Sequence, residues 1–306
     1  IAGSTLSSNS ADNVGGAIVS RAPVTITDST LSGNSANSPD LGGGAIYILT
    51  LPDNPLPMTI TNSTFSGNSA ESGGGAIYVF NLDPMTITDS TFSGNSANRP
   101  FAGSGGATSI IGGTTTITNS TFSNNSAALS SGAINVGGSG NVTLNNSTLF
   151  GNSAEFTAGA VSLNSGTVTF NNSTISGNSP GRGRGGIVTI SSSGTFNFNN
   201  TIVANNNTDT SVDCTSDSLG TVNFSAAGTN IIGRDAPLIG SLVPCDPNGL
   251  SLRGDAGVGA LADNGGAVQT VALLPGSPAI NAGDNAAAVD ADSNPFTTDA
   301  RGTGFP

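Results

Sequence analysis

The chain has 306 residues, 19 of them acidic and 7 basic, a formal net charge of −12, and neither histidine nor tryptophan. With charged residues at 8% and acidic ones in excess, it carries no basic footprint for nucleic acid or for an anionic membrane surface. A histidine-based triad and a histidine-ligated zinc site are excluded, and no run of apolar residues is long enough to span a bilayer.

Low charge and abundant Gly, Ser, Thr and Asn would also suit a low-complexity stalk. Against that stand Ile, Val, Leu and Phe at regular places, which a stalk does not need. No signal peptide is recognisable. The chain opens inside a repeat, at STLSSNSA from Ser4, and so reads as a portion of something longer. The phrase returns as TDSTLSGNSA from Thr27, TNSTFSGNSA from Thr61, TDSTFSGNSA from Thr88, TNSTFSNNSA from Thr118 and NNSTISGNSP from Asn171. Its apolar residue falls at Leu6, Leu31, Phe65, Phe92, Phe122, Leu149, Ile175 and Ile202. Asparagine follows three residues later at Asn9, Asn34, Asn68, Asn95, Asn125, Asn152, Asn178 and Asn205. A second phrase interleaves: GGAI at Gly15, Gly43 and Gly74, GGAT at Gly105, SGAI at Ser131, AGAV at Ala158 and GGIV at Gly185.

A period of about 27 residues means a repeat architecture. MTIT, TTTIT, NVTLN and TVTFN alternate polar with β-branched or apolar residues and predict strands. STFSG and GGAIYVF predict two more, with Gly, Asn and Ser between them as turns require. No stretch shows a helical period. The expected fold is all-β: three short strands per repeat make one coil of a parallel β-helix, a β-solenoid. Its coils share one core because a single coil cannot bury its apolar face. Eight to nine coils at about 4.8 Å each predict a rod roughly 40 Å long. Longer repeats carry their extra residues in LTLPDNPLPM and ANRPFAGSG, which belong in loops at a corner. Identical letters stack on one another: Phe, Leu and Ile as an internal column, the recurrent Asn as an amide ladder, Ser and Thr as hydroxyl ladders. The glycines of GGAI serve positive φ or close backbone approach. Repeats are expected over 1–212, followed by an irregular region, 213–306, that continues or caps the helix.

The paired GGAI and F-x-x-N phrases resemble the repeats of polymorphic outer membrane proteins of the chlamydial type. The stretches NNTIVANNNTDTSVDC, GTNIIG, GALADNGGAVQTVALLPGSPAINAGD and TDARGTGFP are similar to the terminal region of choice-of-anchor Q domain proteins of bacterial surfaces. The resemblance covers about Asn199 to Pro306 closely and the earlier coils generically. It implies a right-handed, extracellular β-helix and no defined activity. It also has cysteine at both Cys214 and Cys245. An even cysteine count in a secreted chain reads as a disulfide, so a bridge tying the C-terminal region is expected; two buried free thiols are the alternative.

Other candidate sites are sparse. Asp28 and Asp89 share a repeat position that Asn62 and Asn119 hold in other coils, which suits a ladder better than a pair of catalytic carboxylates. The basic pair Arg182 and Arg184 has no carboxylate beside it in sequence. Asp290, Asp292 and Asn294 alternate as calcium-loop ligands do, with Asp284 and Asp299 in reach of a different geometry, but the glycine and late glutamate of an EF-hand are missing. Calcium is the one cofactor the sequence offers, and an acidic solvated loop is the simpler reading. Tyr47 and Tyr78 occupy equivalent GGAIY positions and read as strand packing or as contacts for a sugar ring. Sequons begin at Asn62, Asn119, Asn141, Asn146, Asn172, Asn199 and Asn206; in this composition they arise by chance, and most are expected bare. Three functions fit: a non-enzymatic subunit of an extracellular surface fibre built by head-to-tail self-stacking, a monomeric adhesin or carbohydrate-binding rod on surface glycans, and a polysaccharide lyase or hydrolase. The first is expected, because the first coil is written like an interior coil and a β-helix edge recruits another chain.

Overall fold

The structure, a computed structural model, describes residues 1–302 except 51–55, 82–83, 182–184, 190–193, 207–212, 218–220, 225–228, 234–241, 245–251 and 290–293. Each repeat folds into one coil, and every strand pairs in parallel with its equivalents in the coils before and after. The letters of the repeat set the register: Thr64, Phe65 and Ser66 lie beside Thr91, Phe92 and Ser93, and Met58–Thr61 beside Met85–Thr88. Alternation turns Met58 and Ile60 inward and leaves Thr59 and Thr61 half-buried.

The coil has four strands, not the three expected. After the T-F-S strand, a two-residue strand such as Ser69–Ala70 follows the asparagine, then the GGAI strand such as Ile77–Phe80, then the T-I-T strand. Two residues show no periodicity, so this strand is invisible to pattern reading. Six coils carry all four strands, from Thr5–Ser7 to Gly166–Asn171. A seventh is made of Thr174–Ser176, Ile187–Thr189 and Gly194–Asn199 and lacks the short strand, keeping only a bridge from Ser153 to Ser179. Pro180 stands there where earlier coils have alanine, and proline has no N–H to pair. About seven regular turns result, fewer than the eight or nine expected. Stacking continues less regularly through Ile202–Ala204, Cys214–Asp217, Thr221–Phe224, Ile231–Ile232 and Leu252–Arg253, past residue 212. In the GGAI sheet, Leu242–Pro244 adds antiparallel to Cys214–Asp217.

The described residues of 256–302 do not stack on the coils. An antiparallel pair, Val258–Ala262 with Thr270–Leu273, and a 3-10 turn at Asn285–Ala287 run back along the outer face of the T-F-S sheet. Thr121 donates its hydroxyl to Gln269 O (2.5 Å), and Asn200 exchanges two hydrogen bonds with the Asp284 backbone at 2.9 Å. Under this strap Thr121, Ser123 and Thr148 are buried, whereas Thr64 and Thr91 on uncovered coils are half-buried.

Inside runs one continuous core. Phe65, Phe92 and Phe122 stack face to face with centroids 4.7 and 4.6 Å apart, and Leu31, Leu149 and Ile175 extend the column. The two glycines of GGAI have different duties. The first adopts positive φ in most coils: 64° at Gly15, 94° at Gly43 and 77° at Gly105, with Ser131 at 60°. The second lies where one coil crosses the next at close range. A Cβ on Gly106 would sit 2.1 Å from Gly132 O and 2.5 Å from Ser126 O. Gly106→Ala is therefore expected to force neighbouring coils apart at a cost of about 3 kcal/mol, the upper end for overpacking. Gly94→Ala, with φ 62° and nothing within 4 Å, should cost only about 1 kcal/mol of backbone strain. Paired urea melts check the contrast.

Candidate functional site

The most elaborate polar structure in the chain is its interior asparagine column. Asn34, Asn68, Asn95, Asn125, Asn152 and Asn178 are fully buried. Each accepts two bonds at Oδ1 from the preceding asparagine, one from its backbone N–H and one from its Nδ2 amide; Asn95 gives both to Asn125, at 3.0 and 2.9 Å. The second amide hydrogen goes to the column residue of the preceding coil, as Asn125 to Phe92 O at 3.0 Å. Donors and acceptors are all used, which is what lets a primary amide lie in an apolar core. A hydroxyl ladder runs beside it: the N–H of Ser29, Ser63, Ser90, Ser120 and Ser147 each donates to the serine oxygen one coil on.

The last rung is Asn206, not the expected Asn205. Asn178 donates its backbone N–H and Nδ2 to Asn206 Oδ1 at 3.2 and 2.7 Å, and Asn206 Nδ2 donates to Ile175 O. The strand register shows why: Ile175 lies opposite Val203, so Val203 rather than Ile202 continues the column. Asn205 takes the place of the phrase's glycine, with φ 61° against 68° at Gly177 and 53° at Asn124. The F-S-N-N of coil five was the available signal, since it already puts one asparagine in the glycine place and the next in the ladder. Asn206→Gly is expected to cost about 3 kcal/mol through three lost buried bonds, and Asn205→Gly within about 0.5 kcal/mol. Thermal melts of the two variants separate the assignments.

The ladder ends differently at its two ends. Asn206 donates its backbone N–H to Oδ1 of the buried Asp213 at 2.7 Å. At the other end Asn9 is exposed, and its Oδ1 receives no donor from the described residues. Leu6, Ile18 and Val24 in that coil are only partly buried, while Ile1 and Val19 are 46% and 57% exposed.

The remaining candidates separate cleanly. Asp28, Asn62, Asp89, Asn119, Asn146, Asn172 and Asn200 form an outer column, all with φ between 47° and 49°, a left-handed turn that Asp and Asn tolerate best. Asn62 Nδ2 donates to Asp28 Oδ1 at 2.6 Å, and Asn62 separates Asp28 from Asp89 by position. Cys214 is buried and disulfide-bonded; Cys245 lies outside the described residues, though Pro244 before it is registered opposite Thr215. Asp290 and Asp292 also lie outside them, as do Arg182 and Arg184. Asn294 is exposed. Asp284 Oδ1 accepts from Ala286 N–H to cap the 3-10 turn, and Asp299 pairs with Arg301. Among the described residues no three potential metal ligands converge.

Tyr47 and Tyr78 stack at 5.5 Å and 8° in paired strands. Tyr47 is only 6% exposed and Tyr78 is half-buried, so Tyr78 alone of the pair presents part of its ring to solvent. Burial raises both phenol pKa values above 10; Arg21 partly offsets this at Tyr47, and Tyr47 adds to it at Tyr78. A raised acid favours its neutral form in the folded state. The pair's contribution is therefore complete below the unfolded pKa and lost as pH climbs through the folded one. Tyrosinate absorbance should accordingly appear at higher pH in native than in denatured protein.

Parallel coils, a shared core and an internal amide ladder define a right-handed parallel β-solenoid. The chain belongs to the family described as right handed beta helix region, whose family model matches residues 1–231. No curated protein and no solved structure matches it. The fold is compatible with a structural or adhesin-like role, and the family also includes enzymes.

Proposed function

We propose that this chain is a non-enzymatic structural element of an extracellular surface fibre, extended end to end by coil-on-coil stacking through its first coil, with Ile1–Val19 on one side of the joint. The letter-for-letter register of successive coils, kept through coil one, carries the reading. Coil one has interior letters and interior register, with Thr5, Leu6 and Ser7 beside Thr30, Leu31 and Ser32. A coil in this register pairs with a further coil on its other side, of its own chain or of another copy. The opposite end of the ladder closes on Asp213, so the two ends differ and contact between copies is heterologous, which builds filaments where it does not close into a ring. The disulfide at Cys214 supports an oxidising, extracellular setting.

Negative-stain microscopy and sedimentation of the intact natural protein test the proposal. Filaments that are lost in a Leu6→Lys, Ile18→Lys variant are expected. A natural protein that stays monomeric at high concentration, with its first coil covered by its own chain, overturns it.

A further inference from the structure

The strap does not lie flat on the solenoid. Its described residues are pinned at two rungs of the outer column and make no side-chain hydrogen bond to the rung between them. Asn146 donates Nδ2 to Thr298 O at 3.3 Å. Asn200 is tied to Asp284 in both directions. Asn172, the same rung one coil from each, is half-buried, and its side-chain amide has no hydrogen-bond partner among the described residues. Beneath the strap is a groove of about 710 Å3 lined by Asn172, within the ~300–1,000 Å3 usual for small-molecule sites.

The two walls differ in chemistry. The solenoid wall is mostly polar, with Asn172 beside Thr174 and Thr148 from successive coils, and carries Ile202 and Ile231 at one end. The strap wall is largely apolar, with Phe296 and alanines, and ends in the Asp299–Arg301 pair. In that pair Arg301 Nε lies 2.8 Å from Asp299 Oδ2, so the guanidinium charge is neutralised within the groove. A ligand with a hydroxyl edge and a C–H face fits both walls. The net charge of −12 and the neutralised arginine disfavour an anion.

We infer that this groove binds a short neutral saccharide, with the Asn172 amide donating to and accepting from ring hydroxyls and the Phe296 ring packing on the sugar's C–H face. This is independent of end-to-end stacking, because the groove lies on the side of coils six to eight. It also differs in place from the Tyr47–Tyr78 pair.

Calorimetric titration with neutral tetrasaccharides (β-1,4-glucan, α-1,4-glucan and β-1,4-mannan), with a tetrauronate for comparison, tests it. At least one neutral sugar is expected to saturate. Asn172→Gly keeps the left-handed backbone and removes the amide, and should weaken binding about tenfold. Phe296→Ala should weaken it at least as much. Asn62→Gly, the same rung on an uncovered coil, should leave it unchanged. Circular dichroism melts establish that each variant is folded. If Asn172→Gly or Phe296→Ala loses the fold, chemical-shift changes at Asn172 and Phe296 in the unaltered protein during titration take its place. The inference is overturned by no saturable binding of any neutral sugar, by binding indifferent to both folded variants, by shifts elsewhere than the groove, or by preference for the tetrauronate or a peptide.

Discussion

Asn125→Leu is expected to destabilise the solenoid by on the order of 4–6 kcal/mol, although leucine is the more hydrophobic residue. The substitution leaves the Asn95 backbone N–H and Nδ2 without their acceptor. It also strips Phe92 O and Asn152 Oδ1 of a donor each. Each buried polar group left unpaired costs about 1–3 kcal/mol, and leucine's gain in transfer energy offsets part of the sum. Asn125→Asp should fail as well, because a carboxylate keeps the acceptor but loses both donated bonds and buries a charge. Neighbouring Asn124→Gly should be nearly silent, since Asn124 holds the glycine place at φ 53°. Because solenoid stability is carried by nearest-neighbour interfaces, hydrogen exchange should show the loss concentrated in the coils of Asn95, Asn125 and Asn152. A loss below about 1 kcal/mol by urea unfolding would mean that the ladder contributes little to holding the coils together.

Phe92→Ala is the second large effect. Phe92 is fully buried and stacked on both faces, against Phe65 and Phe122 at interplanar angles of 4° and 3°. Truncation removes its transfer energy and leaves a void between two rings held by their own strands, a loss of about 3–5 kcal/mol, with the two ring contacts adding about 0.5–1.5 kcal/mol each. Phe92→Leu should cost far less, about 1–1.5 kcal/mol, because Leu31 and Leu149 already fill the same column in other coils. Equilibrium unfolding of the two variants gives the comparison. Equal losses would show that the column depends on aromatic stacking rather than on filled volume.

Much of the coil was legible because a solenoid writes its tertiary contacts into its period. A residue's neighbours in space are the same letter about 27 residues away, so the F-x-x-N phrase announces both the apolar column and the amide ladder. The same logic separates Asp28 and Asp89 from catalytic carboxylates: asparagine alternates with them at one left-handed position. The logic fails where letters become ambiguous. In VANNN any of three asparagines satisfies the pattern, and only the pairing of Ile175 with Val203 selects Asn206. It fails again for the Ser-Ala strand, too short to carry a period, and for Tyr47, whose outward position in the alternation does not reveal that it is covered.

The amino-acid sequence by itself determined the β-helix, its parallel register and the composition of its core and ladders, because repetition turns local pattern into long-range contact. The tertiary structure alone decided what happens at the ends and along the side. The return of residues 256–302 over the T-F-S sheet rests on contacts such as Thr121 to Gln269 and Asn146 to Thr298, 148 and 152 residues apart. No repeat phrase marks those partners. Among the described residues the same strap leaves Asn172 without a side-chain partner while Asn146 and Asn200, identical to it in residue and backbone angle, are tied down. Three equivalent letters thus acquire different chemistry, because the strap bonds to the side chains at its two footings and spans the one between them.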